Sequence, residues 1–139
     1  MDLKQKMEDW GPWGEKENKV LIFSLGNEYE GHGPALPKDT DSRIAKFVAQ
    51  KLAHETGQRY CAHIPFQTDG VGSCASYWMA DYRPKEECAK EITKFINDYL
   101  NRIKNTYPKF EKILIINAHG GNNGIEAYLN KEDFPVPVI

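Results

Sequence analysis

Three short apolar runs and two stretches of helical periodicity organise the chain. "KVLIFSLG" (Lys19 to Gly26) is an unbroken apolar run closed by glycine, which predicts a strand buried on both faces, since a half-exposed strand would alternate. From Ser42 to Thr56, Ile44, Val48 and Leu52 recur every four residues beside Ala45, Ala49 and Ala53. Arg43, Lys46, Gln50 and Lys51 take the other sides, so the segment predicts an amphipathic helix stopped near Gly57. "RYCAHIPF" (Arg59 to Phe66) predicts a second strand, followed by the irregular stretch "QTDGVGSCASYWMADYR". Pro84 then suits the first turn of a helix in which Ala89, Ile92, Ile96, Leu100 and Ile103 keep helical spacing until "NTYP". "KILIIN" (Lys112 to Asn117) is the clearest strand; after "HGGNN" the pattern predicts a shorter helix around Gly124 to Asn130, and "PVPVI" begins another strand.

Strand and helix alternate, and the strands are apolar on both faces. The expected architecture is therefore α/β, a mostly parallel sheet with helices on both faces. At 139 residues and 40% hydrophobic content the chain is expected to form one domain over positions 1–139. A formal charge of -2, from 18 basic and 20 acidic residues, provides no broad positive field for nucleic acid or an anionic membrane, so a small-molecule partner is expected. No apolar run is long enough to cross a bilayer and the first residues lack the core of a secretory signal, which sets the expectation of a cytoplasmic address. Cys61, Cys74 and Cys88 lack CxxC spacing and read as reduced thiols; no local signature marks Cys74 as a nucleophile.

The unusual residues fall at strand ends. "EYEGHGPALPKDTD" gathers Glu28, Glu30, Asp39 and Asp41 around His32 in a segment unsuited to helix or strand, directly after the first strand. His119 lies just past the third strand. In an open parallel sheet the carboxyl ends of the strands converge on one edge, where ligands bind, so Glu30, His32, Asp41 and His119 are expected to meet there. Two imidazoles and two carboxylates are a donor set for zinc, manganese or ferrous iron, and Asp41 is suited to bridge two ions. A divalent cation also relieves the repulsion that crowded carboxylates create. Each residue has a plainer reading: Asp41 as a helix cap, His119 as a turn residue before two glycines, the glutamates as solvated loop charges, and His63 as a satisfied histidine of the second strand. His54 near a helix end suits the helix dipole. "HGGNNG" lacks the spacing and lysine of a P-loop.

Together the two motifs, "GNEYEGHGPALPKDTD" and "NAHGGN", resemble the creatininase superfamily of metal-dependent amidohydrolases. The resemblance covers roughly Leu21 to Asn130 and is most similar to the archaeal branch that deformylates a formylaminopyrimidine ribose phosphate. It implies that Glu30, His32, Asp41 and His119 are metal ligands, with Asp41 between two sites, and that one or two divalent ions serve as cofactor. Creatininase proper has a glutamate ligand where Gly121 stands, which counts against creatinine as substrate. Family members run beyond position 139, so the resemblance implies a domain lacking its C-terminal part; it also favours a homo-oligomer.

The implied chemistry is hydrolysis of a C–N amide or formamide bond by metal-activated water. Asp39 and Glu28 are the candidate catalytic residues, placed to orient His32 or His119. Tyr77 and Trp78 are candidates for stacking on a planar heterocycle, and Gly120, Gly121 and Asn122 for contacting the substrate through "HGGNN". Two alternatives stay open: a nonenzymatic metabolite or nucleotide-binding α/β domain, which leaves the grouping of Glu30, His32 and Asp41 unexplained, and an inactive metal-binding relative.

Overall fold

The computed structural model describes residues 19–69, 82–104 and 110–139. Cys74, Tyr77, Trp78 and the "WGPWG" segment (Trp10 to Gly14) lie outside the described residues. Strands β1 (Val20–Leu25), β2 (Arg59–Ile64) and β3 (Lys112–Asn117) form a fully parallel sheet in the order β2-β1-β3. Helix α1 (Thr40–Thr56) connects β1 to β2, and helix α2 (Lys85–Ile103) lies between β2 and β3 in the chain. Because the path steps outward to β2 and then back across β1 to β3, right-handed crossovers put the two helices on opposite faces. The expected α/β architecture is thus observed.

β1 is the axis of the core. Leu21, Phe23 and Leu25 pack with Ile92, Ile96 and Leu100 of α2, while Ile22 packs with Ala49 and Ala53 of α1. All four β1 side chains are at most 1% exposed, and full burial of each such side chain contributes about 1.5–3 kcal/mol. On the α1 side the buried stripe is Ala45, Ala49 and Ala53, whereas Ile44 and Val48 are exposed. Small side chains let this helix lie close to the sheet. Asp41 and Ser42, also buried, begin the helix on that inward face, since Asp41 stands four residues before Ala45.

Two local features differ from the sequence expectation. The helix expected around Gly124 to Asn130 is instead a series of short 3-10 turns at Gly120–Asn122, Ile125–Tyr128 and Lys131–Asp133. Gly124, at φ 84°, interrupts any continuous right-handed helix there. A register shift between Ile22 and Phe23 places Phe23 opposite Ala62, so Cys61 forms a bulge in β2. The extra residue reverses the side-chain parity beyond it, and Tyr60 and His63 both reach Ser24 of β1 as a result. The end of the chain runs beside β3 as expected: Ile113 N donates to Pro137 O and Ile139 N donates to Ile113 O, which makes a parallel bridge between Ile113 and Val138. No helix among the described residues is long and apolar enough to cross a membrane.

The first turn of α1 rests directly on the end of β1. A Cβ on Gly26 would lie 2.6 Å from both the nitrogen and Cα of Ser42 and 2.8 Å from the carbonyl carbon of Asp41, whereas one on Gly31 would meet nothing within 4 Å. Gly26→Ala is expected to destabilise the fold by roughly 1–3 kcal/mol through overpacking against rigid backbone, and Gly31→Ala to change it little. Urea denaturation of the two variants checks this; equal midpoints would mean that the contact is not constraining.

Candidate metal centre

The site is built where the loops after β1 and β3 part toward opposite faces of the sheet, the position at which parallel sheets open a crevice. β1 delivers Asn27 and the acidic loop, α1 delivers Asp41, and β3 delivers His119. Asp41 stands between the two imidazoles. Its Oδ1 lies 3.0 Å from Nε2 of His32 and its Oδ2 lies 2.8 Å from Nδ1 of His119. Glu30 closes the group, with Oε2 at 3.1 Å from Nδ1 of His119 and 3.5 Å from Nε2 of His32. Asp41 is 8% and His119 3% exposed. Residues separated by nearly ninety positions thus share one crevice, as the strand-end argument expects.

Among the described residues, Glu30, Asp41 and His119 each offer a donor atom within 4.8 Å of the others, a candidate divalent-metal site. His32 adjoins it on the second oxygen of Asp41. The chemistry of the donors suits a cation. Burial, followed by the neighbouring carboxyl of Asp41, raises the pKa of Glu30 above the ordinary carboxylate value, so proximity without a counterion is unfavourable. His32 is raised first by the backbone carbonyl of Glu30, which faces its Nδ1 at 2.9 Å. With the proton on Nδ1 donated to that carbonyl, Nε2 turns its lone pair toward the carboxylates, the arrangement a metal-binding imidazole needs.

His119 is held more elaborately. Its backbone is bracketed by Asn117, whose Oδ1 accepts from His119 N at 3.1 Å and whose Nδ2 donates to His119 O at 3.0 Å. Its Nε2 lies 3.0 Å from the carbonyl oxygen of Thr68. Thr68 is placed in turn by Asn122, whose Oδ1 accepts from Thr68 N at 2.9 Å. The amide of Asn122 donates to Gly26 O and Asn117 Oδ1 at 3.0 and 3.1 Å, tying together the chain after all three strands. Gly121 leaves no room beside this linkage: an added Cβ would meet Nε2 of His119 and would lie 2.8 Å from Thr68 O. A larger residue at position 121, such as the glutamate ligand of creatininase, therefore requires a different arrangement.

The remaining expected site residues take other places. Asp39 precedes α1 and pairs with Arg43 at 2.9 Å, both partly exposed. Glu28 approaches Nε2 of His63, at 3.7 Å. Gly120 is exposed, and Asn122 is buried with its carboxamide engaged as described. Asn27, Thr68 and Asn117 are additional residues of the site. Asn27 and Asn117 belong to the two motifs, so proximity to a ligand was their signal; nothing in "QTDG" marks Thr68.

Comparison with known proteins points to one group. The chain is 30% identical over 114 residues to the 2-amino-5-formylamino-6-ribosylaminopyrimidin-4(3H)-one 5'-monophosphate deformylase of Methanothermobacter thermautotrophicus, covering 78% of this chain and 43% of that protein. It is 33% identical over 119 residues to the deformylase of the same name from Methanococcus maripaludis, covering 86% and 49%, and 28% identical over 121 residues to that of Methanothermus fervidus, covering 83% and 43%. The chain therefore spans less than half the length of these relatives. No family model matches, and no solved structure matches. The matches bear out the resemblance carried by the two motifs.

His63 supports the site from the next layer and carries a pH dependence. It sits between Ser24 Oγ, 2.8 Å from its Nδ1, and Ser42 Oγ, 3.1 Å from its Nε2, with Ser42 adjoining Asp41. Burial, and then the charge of Lys46, lowers its pKa to about 4. The unfolded chain protonates this ring below about 6.5 while the fold resists, so the stability that His63 contributes is complete above that pH and is lost as pH falls toward about 4. His63→Gln is expected to flatten the decline in urea midpoint between neutral pH and about pH 5. Parallel declines in the two proteins would assign the acid sensitivity elsewhere.

Proposed function

We propose that this chain, as a member of the creatininase superfamily related to the archaeal deformylases, is a metal-dependent amidohydrolase that hydrolyses a formamide C–N bond on a small heterocyclic substrate. The observation that carries the reading is the carboxylate of Asp41 placed between two imidazoles beside Glu30. Glu30, Asp41 and His119 would hold a zinc, iron or manganese ion, and His32 would serve the far oxygen of Asp41, either for a second ion or to keep that carboxylate oriented. Such an ion would lower the pKa of bound water toward about 7 and polarise a carbonyl.

The protein's own residues do the rest. Asp41 and Glu30 contribute negative charge that confines a cation to the crevice. His32, with Nδ1 against the Glu30 carbonyl, and His119, with Nε2 against the Thr68 carbonyl, each direct the other ring nitrogen toward the carboxylates. Water adds to the formyl carbon, the C–N bond breaks, and the amine leaves with a proton while formate is released. Glu28 acts on the site through His63 and Ser42, and Asp39 through the start of α1. Tyr77 and Trp78 remain the proposed stacking partners of the heterocycle, with Gly120, Gly121 and Asn122 forming the turn beside it. The formylaminopyrimidine ribose phosphate named for the relatives is the first substrate to test, and association into a homo-oligomer is part of the same proposal.

The protein, freed of metal with a chelator and reloaded with zinc, manganese or ferrous iron, is expected to retain stoichiometric metal and release formate from that substrate. His119→Ala should lose both tight metal retention and at least about a hundredfold in formate release. Full metal occupancy with no formate from any formamide substrate would refute the hydrolase reading.

A further inference from the structure

His119 is presented with two opposite partners on the same ring nitrogen. Nε2 lies 3.0 Å from the carbonyl oxygen of Thr68, an acceptor, and 3.2 Å from Nδ2 of Asn27, a donor. The orientation of Asn27 follows from its other end, because Oδ1 accepts from the backbone N–H of Tyr29 at 2.7 Å and the amide nitrogen must therefore face the imidazole. Asn27 and Thr68 are 0% exposed, so water does not compete for these positions. On the opposite side of the ring, Nδ1 faces only acceptors, Oδ2 of Asp41 at 2.8 Å and Oε2 of Glu30 at 3.1 Å.

A neutral imidazole carries one proton, and the surroundings satisfy either location. With the proton on Nδ1, the ring donates to the carboxylates and Nε2 accepts from Asn27. With the proton on Nε2, the ring donates to Thr68 O and frees Nδ1 to bind a cation. We propose that Asn27 and Thr68 form a two-way socket in which His119 reverses its tautomer when the site takes up a divalent cation, Asn27 being the positioning residue of the metal-free form. The ring's proton count is unchanged: Nδ1 releases one proton and Nε2 gains one by way of solvent. The socket gives Nε2 a hydrogen-bond partner in both states, Asn27 in one and the Thr68 carbonyl in the other, and the neighbour not engaged gives up its bond to the ring. It also opposes metal binding slightly, because loading gives up the Asn27 bond. Asn122 belongs to the other arm, since it holds Thr68 by its backbone N–H.

This inference rests on the metal site proposed above, and its test does not use activity. The full chain is labelled with nitrogen-15 in histidine, and two-bond proton–nitrogen spectra are recorded at about pH 8.5, above the ordinary imidazole range, with and without zinc. Signals are assigned from His32→Gln, His54→Gln and His63→Gln spectra. The expected result is Nδ1–H at His119 without zinc and Nε2–H with zinc. A ring that already carries a proton on Nε2 without zinc, alone or together with Nδ1, overturns the proposal. Asn27→Asp keeps the acceptor for Tyr29 N but turns an acceptor toward Nε2; it is expected to move the zinc-free ring to Nε2–H, and an unchanged ring would count against the socket. Asn122→Ala should weaken zinc binding by about tenfold or more in competition with a chromophoric chelator, while unaltered affinity would remove Thr68 from the device. If a variant does not fold, the wild-type spectra decide by themselves. Failure to bind zinc, manganese or ferrous iron refutes the metal reading as well, whereas zinc binding without a tautomer change refutes the socket alone.

Discussion

The carboxylate of Asp41, held between His32 and His119, is the constraint on which the site depends. Each oxygen faces a different imidazole, and Glu30 approaches both rings from the acidic loop. Two carboxylates brought this close in a largely buried crevice repel, and the repulsion is relieved by hydrogen-bonded protons or by a cation. The crevice thus has its own reason to bind a positive ion.

The fold supplies that geometry through close backbone packing. A stripe of alanines on α1 brings the helix near the sheet, and Asp41 lies on the same inward face one turn earlier. Gly26 permits the first turn of the helix to rest on the end of β1. The bulge in β2 turns His63 to the same side, where it joins Ser24 of β1 to Ser42 of α1 and stabilises the helix start that carries Asp41. The shared theme is proximity: small residues remove the distance between elements, and a short polar bond then fixes the angle.

On the β3 side the constraint is polar. Asn122, almost wholly buried, satisfies Gly26, Thr68 and Asn117 with one carboxamide, and so ties the chain after three strands into one unit. A buried amide with all its bonds made is rigid, because loosening any one of them leaves an unpaired polar group. His119 inherits that rigidity through the Thr68 carbonyl and through Asn117.

Much of this was legible in the chain. Apolar strands buried on both faces dictated a parallel α/β sheet, because only helices on each side can cover them. The positions of Glu30, His32, Asp41 and His119 just beyond strand ends dictated a shared edge, since parallel strands all finish there. The sequence pattern was less informative about which face of α1 is inward: Ile44 and Val48 are the larger apolar residues, yet the alanines are buried, because clearance from the sheet decides the matter and no single segment contains it. Likewise the helix expected after "HGGNN" broke into 3-10 turns at a left-handed glycine, and Thr68 joined the site from a stretch with no distinguishing residues. Residue types and spacing determined which chemistry was available and at which edge. Only the tertiary structure decided which nitrogen of each imidazole faces the carboxylates, because that choice depends on backbone carbonyls and amides contributed by distant parts of the chain.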